Sequence, residues 1–237
     1  MQKQFFPATE RGKKDIGWLQ SNFIFSFSDY THPCRSAFGT LFTFNDDFVQ
    51  PGKGFGLHPH INMEIISVLL KGRMNHKDDM GYSTVVDRDW VQIMSAGSGL
   101  KHEEYNIGEE EVNFLQIWIQ PKIQNINPRY QSRHFPRDKR KNQLVTIVSH
   151  EEGLGHCWIN QHAKLSLGWF SGEQTINYSF QPVNKCFFIF NISGEIKIDG
   201  EKLKNRDALG IWGTGEVPVE VLTESEFLII ETVINQK

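Results

Sequence analysis

The fold is decided by Gly52-Lys-Gly-Phe-Gly-Leu-His58-Pro-His60 and by a later stretch, Gly99-Leu-Lys-His102-Glu-Glu104. Each stretch ends in two potential metal ligands separated by one residue. Side chains two apart on a β-strand point to the same face, about 6 to 7 Å apart along it. His58 with His60, and His102 with Glu104, can therefore each grip an ion from one side.

Three imidazoles and a carboxylate form a ligand set that contains no thiolate. Nitrogen and oxygen donors in this mixture suit iron, manganese, nickel, copper or zinc far better than magnesium or calcium. The two stretches therefore predict a site for one divalent metal ion.

The segment between the two ligand pairs is typical of strands and turns. The pattern predicts strands over residues 64–70, 73–77, 83–86 and 90–94. An even number of antiparallel passes returns the chain to a position beside its start. Gly97 and Gly99 supply the tight bend that delivers the second ligand pair.

The motifs of this region resemble the pirin family of the cupin superfamily. The matching segments are 54–60, His76-Lys-Asp-Asp-Met-Gly81 and 92–104, with Gly17-Trp18, 25–30 and Phe44-Asn-Asp-Asp47 upstream and 115–118 downstream. About half of the chain matches densely. There is one departure, because Asp89-Trp90 stands where the family usually has Gly-Asp.

The resemblance implies an all-β bicupin, that is, two antiparallel jelly-roll barrels in one chain. It also implies iron, as Fe(II), held only in the N-terminal barrel by His58, His60, His102 and Glu104; manganese, nickel, copper and zinc stay open as alternatives. Glu64 lies where many other cupins place a metal-binding glutamate, and a regular strand would put it on the face of His58 and His60. We expect Glu64 to orient a histidine or a water.

The function that the resemblance implies is that of a quercetin 2,3-dioxygenase, which opens the central ring of a flavonol with dioxygen. Glu104 would be the general base if it is not a permanent ligand, and Glu64 if it is. His76 and Met94 are candidates for lining the cavity, with strand packing as the equal alternative. A redox-responsive protein that binds a partner protein, and a zinc or manganese hydrolase or isomerase, are the competing functions.

The second half looks like a diverged copy of the first. The segment 192–198 matches 70–76 through Gly194 and Gly72, and Arg206-Asp207-Ala208 matches Arg88-Asp89-Trp90. This alignment sets Phe180 and Pro182 against His58 and His60, and no histidine follows residue 162. We expect an N-terminal metal-binding barrel at 1–124, a solvated basic linker at 125–143, and a C-terminal barrel without metal at 144–237.

Charge and composition argue against several classes of protein. The net charge of −3 argues against a nucleic-acid surface, and the absence of a long apolar run argues against a membrane span or signal peptide. Cys34, Cys157 and Cys186 are few and widely spaced, which indicates reduced thiols in a cytoplasmic protein.

Asn45-Asp46-Asp47 is predicted to be the turn after a strand over 38–44. The expected ligands are a flavonol-like aromatic molecule and dioxygen, and the oligomeric state stays open.

Overall fold

The structure, a computed structural model, describes residues 2–180, 184, 186–213 and 215–234. Its strands in the first half of the chain are β1 (Gln2–Phe6), β2 (Gly12–Asp15), β3 (Leu19–Phe23), β4 (Leu41–Val49), β5 (Gly54–His60), β6 (Glu64–Lys71), β7 (Arg73–Asp78), β8 (Ser83–Asp87), β9 (Trp90–Ser95), β10 (Leu100–Asn106), β11 (Val112–Ile119) and β12 (Arg129–His134). The four strands expected between the ligand pairs are confirmed as β6 to β9.

The described residues of the second half form ten further strands. They are β13 (Gln143–Ser149), β14 (Cys157–Trp158), β15 (Lys164–Phe170), β16 (Gln174–Ser179), β17 (Cys186–Ser193), β18 (Ile196–Ile198), β19 (Glu201–Leu203), β20 (Ala208–Trp212), β21 (Glu216–Val221) and β22 (Ser225–Thr232). Across the part of the chain that the structure describes, two short 3-10 helices, Ala8–Glu10 and Arg137–Arg140, accompany the strands. Among the described residues no helix has the length and apolar character needed to traverse a bilayer.

Each half is a pair of packed sheets. The first half has a seven-stranded sheet, β12-β9-β6-β11-β4-β3-β2, and a four-stranded sheet, β5-β10-β7-β8. The second half repeats the plan with β1-β20-β17-β22-β15-β13-β14 and β16-β21-β18-β19. The predicted all-β bicupin is confirmed, with sheets that stay open at their edges rather than closing into full barrels.

Successive side chains on the strands of the large sheets point alternately into two different apolar cores. Ile66 and Val68 on β6 belong to the apolar core shared by the two halves, together with Phe188 and Phe190 of β17. Leu69 faces the other way, into the interior of the first half. Because side chains alternate between faces, one strand serves the contact between the halves and the cavity inside the first half.

The internal repeat is visible in the strand pairing. Gly72 and Gly194 share a φ of 82°, and Ser67 pairs with Gln92 across β6 and β9 as Ile189 pairs with Leu209 across β17 and β20. The turns that precede β9 and β20 also correspond, but with an offset of one residue from the predicted alignment. Asp89 (φ 68°) and Arg206 (φ 69°) are the equivalent residues, since their amides donate to the Leu69 and Asn191 carbonyls.

The strand pairing also differs from the predicted segment boundaries. β1 pairs with β20, so residues 2–6 lie in the large sheet of the second half. β12 falls within the predicted linker, yet it pairs with β9 in the first half. Arg140 is buried in the same segment, bonded to Asp89 and Glu226. The basic residues therefore take part in strand pairing and a buried ion pair as well as in solvent contact.

Asn45, Asp46 and Asp47 do not form the predicted turn. They lie in the middle of β4 and are all buried. Asp46 faces the second half and forms ion pairs with Arg11 and Arg206. Polar residues are common in turns, but here an ion-pair network on one face and a cavity on the other keep them inside a strand.

Candidate metal centre

The two ligand pairs meet because β5 and β10 are antiparallel neighbours. His102 lies opposite His58, and the register shifts between His102 and Glu104. Gly97 and Gly99 have φ values of 47° and 124°, which confirms the bend expected before β10.

Three imidazoles converge at this point. The ring centroids of His58 and His102 are 4.4 Å apart, those of His58 and His60 4.8 Å, and those of His60 and His102 5.0 Å. Their candidate ligand nitrogens all lie within 4.8 Å of one another. Nδ1 of His58 is 2.7 Å from the Gly56 carbonyl oxygen, so Nε2 is its free nitrogen.

His102 tests whether a metal fits these residues. The side chain is buried, and neither ring nitrogen has a hydrogen-bond partner among the described residues. Buried polar atoms are normally paired, and an imidazole nitrogen bonded to a metal is satisfied. The unpaired state of His102, with two neighbouring imidazoles, therefore fits a metal ion.

Glu104 joins a second group on the same strand. One carboxylate oxygen of Glu104 and one nitrogen each of His76 and His102 lie within 4.8 Å of one another. The Gln92 side-chain amide donates a short hydrogen bond to Glu104. Glu104 thus has its orientation fixed from the large sheet while it borders the histidines.

His76 borders the histidine cluster, whereas Met94 lies outside it. The ring of His76 stacks on Tyr130 with centroids 4.2 Å apart, and its Nε2 is 2.9 Å from Asp78 Oδ2. Of the two roles that sequence left open for His76, cavity lining and strand packing, the structure favours packing next to His102, because the ring stacks on Tyr130 and does not line the cavity. Met94 packs with Ile65, so for this residue strand packing is the observed role.

Glu64 is not brought into either group. β5 ends at His60, and the chain changes sheets before β6 begins at Glu64, so the two are not on one regular strand as the even spacing required. The Glu64 carboxylate accepts hydrogen bonds from Ser95 Oγ at 2.7 Å and from the Asn160 amide at 3.2 Å. Both bonds go to Oε2, one from each half of the chain, and Oε1 is buried without a hydrogen-bond partner among the described residues.

The environment sets the protonation of the cluster. Burial, with the neighbouring His58, lowers the pKa of His60 to about 4. Burial and the adjacent imidazoles lower the pKa of His102 to about 2. Burial raises the pKa of Glu104 to about 7, against the stabilising bond from Gln92. His60 and His102 are therefore neutral at physiological pH, as metal ligands must be.

A row of polar side chains crosses the inner face of the large sheet behind Glu104. Gln92 Nε2 donates to Ser67 Oγ at 3.3 Å, Ser67 Oγ donates to Gln116 Oε1 at 3.2 Å, and the Tyr130 hydroxyl donates to Gln92 Oε1 at 3.0 Å. Sequence analysis missed this row. Its signal was a lone polar residue among the otherwise apolar inward positions of three strands, β6, β9 and β11.

A cavity of about 380 Å³ opens beside the cluster. His58, His60 and Glu104 form part of its wall. The rest is largely aromatic and polar, from Lys14, Ile16, Trp18, Leu19, Ser21, Phe23, Phe27, Ser28, Asn45, Asp47, Phe55, Gln116 and Trp118. The site therefore joins a potential metal position to a space large enough for an aromatic ring system.

The fold and the histidine cluster define a class, the bicupins with a candidate metal centre in the first half. Residues 5–119 match the Pirin family model, and residues 146–232 match the model described as quercetinase C-terminal cupin domain. The chain belongs to the pirin family.

Relatives of known name cover nearly the whole chain. It is 36% identical over 227 residues to quercetin 2,3-dioxygenase of Escherichia coli K12, which covers 94% of this chain and 96% of that protein. It is 31% identical over 226 residues to a pirin-like protein of Caulobacter vibrioides, with 95% and 97% covered. The crystal structure of YhhW from Escherichia coli matches with a TM-score of 0.94 at 31% identity over 100% of both chains. A structure of that bacterial pirin in complex with nickel(II) matches with a TM-score of 0.92 at 31% identity, covering 98% of this chain and 100% of that chain.

Proposed function

We propose that this chain binds a divalent metal ion and acts as a dioxygenase of the quercetin 2,3-dioxygenase type. The observation that carries the proposal is His102, buried with two unpaired nitrogens, beside two further imidazoles in the wall of an aromatic cavity. His58, His60 and His102 would hold the ion, with Glu104 as a fourth ligand that is not permanent and is therefore able to act as a base. We propose Fe(II) as the metal; nickel is the first alternative, because a related bacterial pirin is described as a nickel(II) complex, and manganese, copper and zinc follow.

The ion would supply a Lewis acid that lowers the pKa of a substrate hydroxyl, and a redox-active centre. The chain's own residues would position the substrate. Trp118 lies edge-on to His60, with centroids 5.2 Å apart, and edge-on to Phe27 at 5.3 Å. These rings give a planar aromatic molecule an apolar wall that ends at the histidines.

Glu104 would accept the proton of the substrate hydroxyl. A general base works best when its pKa is near the operating pH, and burial raises the pKa of Glu104 to about 7. The bond from Gln92 fixes one carboxylate oxygen. Glu64 was the alternative base, and burial raises its pKa to about 7 as well. Glu64 neither lines the cavity nor joins a group of histidines, whereas Glu104 does both, so we assign the role to Glu104.

The substrate partners would be a flavonol-like molecule and dioxygen. The name of the Escherichia coli relative supports a flavonol, and the aromatic cavity is consistent with it. Cys34, Cys157 and Cys186 are free thiols, and this supports a reducing, cytoplasmic location.

The test is oxygen uptake by protein loaded anaerobically with Fe(II). We expect quercetin-dependent consumption of dioxygen and release of carbon monoxide, both reduced severalfold or more in His60→Ala. The control is Cys34→Ser, which alters an exposed thiol outside the cavity lining. Stoichiometric iron without flavonol-dependent oxygen uptake would instead favour the redox-responsive, partner-binding function.

A further inference from the structure

We propose that Asn45 and Asp47 form a hydrogen-bond-accepting subsite in the cavity, which recognises hydroxyl groups of the substrate additional to the one at the metal. The inference rests on the proposed function and deepens it. It defines the substrate as a planar aromatic molecule with several hydroxyl groups.

Two acceptor atoms carry the argument. Asn45 is 2% exposed and Asp47 is 4% exposed, and both line the cavity. Oδ1 of each residue has no hydrogen-bond partner in the described part of the chain. An unpaired buried acceptor destabilises the site, so a molecule in the cavity that donates hydrogen bonds to these two atoms gains affinity from both.

Asp46 shows that the two unpaired acceptors are not simply the consequence of a polar strand. Asp46, between the two, is fully engaged on the opposite face: it bonds to Arg11 at 3.3 Å, Arg206 at 3.2 Å and Asn113 at 2.8 Å. Packing between the halves therefore explains Asp46. It does not explain the inward-facing Asn45 and Asp47, whose Oδ1 atoms stay unpaired although the Asp47 side chain also bonds to Ser21.

The second half shows that the fold does not require these groups. Through the strand pairing, Ser166 and Gly168 of β15 occupy the positions of Asn45 and Asp47. Around them the interior is filled by apolar side chains such as Phe170 and Phe227, which stack at 5.0 Å. A carboxylate and an amide at these positions accompany an open cavity, whereas small residues accompany a filled one.

A third unpaired atom defines the ligand further. Nε1 of Trp118 is buried without a hydrogen-bond partner among the described residues, and Trp118 lines the same cavity. An indole N–H only donates, so it suits a carbonyl or hydroxyl oxygen. Two acceptors and one donor, set among aromatic rings, match a polyhydroxylated aromatic ketone better than an unsubstituted hydrocarbon.

The experiment compares two ligands that share the metal-binding 3-hydroxyl and differ in their other hydroxyls. Quercetin and 3-hydroxyflavone are titrated anaerobically into nickel(II)-loaded protein, with binding followed by tryptophan quenching. We expect the wild-type preference for quercetin over 3-hydroxyflavone to fall about tenfold in Asp47→Leu and in Asn45→Leu, because each near-isosteric change removes an acceptor. Nickel stoichiometry should stay unchanged.

Glu231→Gln is the matched control, since it alters a buried carboxylate of the second half that does not line the cavity; it should keep the wild-type preference. Asp47→Ala, which also removes the acceptor, serves if the leucine variant does not fold, and should lose the preference in the same way. An unchanged preference in the folded Asp47 variants would overturn the subsite and leave the proposed function standing. Failure of both flavonols to bind the wild-type protein would overturn both proposals.

Discussion

His102 lies directly opposite His58 in the pairing of β10 with β5, and their ring centroids are 4.4 Å apart. The segment between them forms four further strands, β6 to β9, before the chain returns. The cluster therefore exists only when the first half is folded, and metal binding is coupled to folding.

This coupling predicts that metal stabilises the fold. Nickel(II) at one hundred times its Kd should stabilise the native state by about 2.7 kcal/mol, provided that it binds only that state. Thermal unfolding with and without nickel measures the shift, which should disappear in His102→Ala. An equal shift in His102→Ala would place the bound nickel elsewhere.

Metal affinity should fall as the pH drops below 7. Burial raises the folded-state pKa of Glu104 to about 7, so below that pH the ion must displace its proton. His60 and His102, with pKa values of about 4 and about 2, bind no competing proton in the range from pH 5.5 to 7. One proton corresponds to about a tenfold loss of affinity per pH unit.

Competition titrations with a chelator, from pH 5.5 to 8, measure this slope. Glu104→Gln should bind more weakly at pH 8, and its slope should be shallower than that of the wild type by about one proton. Equal slopes in the two proteins would remove Glu104 from the ligand set.

Gln92→Leu should weaken metal binding without removing a ligand. The change deletes the amide that bonds to Glu104, and loss of a partner that orients a ligand typically costs about 10–100-fold in affinity. Gln131→Leu is the control, because the side-chain oxygen of Gln131 accepts from the Trp158 amide instead. If the two variants bind nickel equally well, Gln92 does not position Glu104.

Arg140→Met should destabilise the protein by about 3 kcal/mol or more, since it leaves Asp89 without its cation and Glu226 with only the more distant Arg137. Arg140 is 1% exposed and lies 2.5 Å from oxygens of both Asp89 and Glu226. Urea unfolding gives the value. Lys139→Met, on an exposed side chain of the same 3-10 helix, should change stability by less than about 0.5 kcal/mol. A similar small effect in Arg140→Met would show that this ion pair does not hold the halves together.

Sequence predicted the features that depend on local period and spacing. The cluster was identified from ligands at alternate positions in β5 and β10, and the bend from the glycines before β10. Both features depend on neighbouring residues alone, because side chains on a strand alternate between faces and glycine favours a positive φ. The resemblance to the pirin family implied the bicupin plan, and the repeat around Gly72 and Gly194 agreed with it.

The features that sequence did not predict depend on contacts between distant strands. Asn45 and Asp47 have turn-forming chemistry, and only the sheet reveals that they face a cavity. Glu64 seemed to share a face with His60 until the chain was seen to change sheets between them. The pairing of β1 with β20 joins the two ends of the sequence and leaves no local signal.

The most direct test of the central claim is anomalous scattering from a crystal of the nickel(II)-loaded protein. We expect one strong anomalous peak in the first half of the chain. It should lie within about 2.0–2.2 Å of a nitrogen from each of His58, His60 and His102 and of an oxygen of Glu104. A peak that touches fewer than two of these histidines, or no peak in protein shown to be metal-loaded in solution, would contradict it.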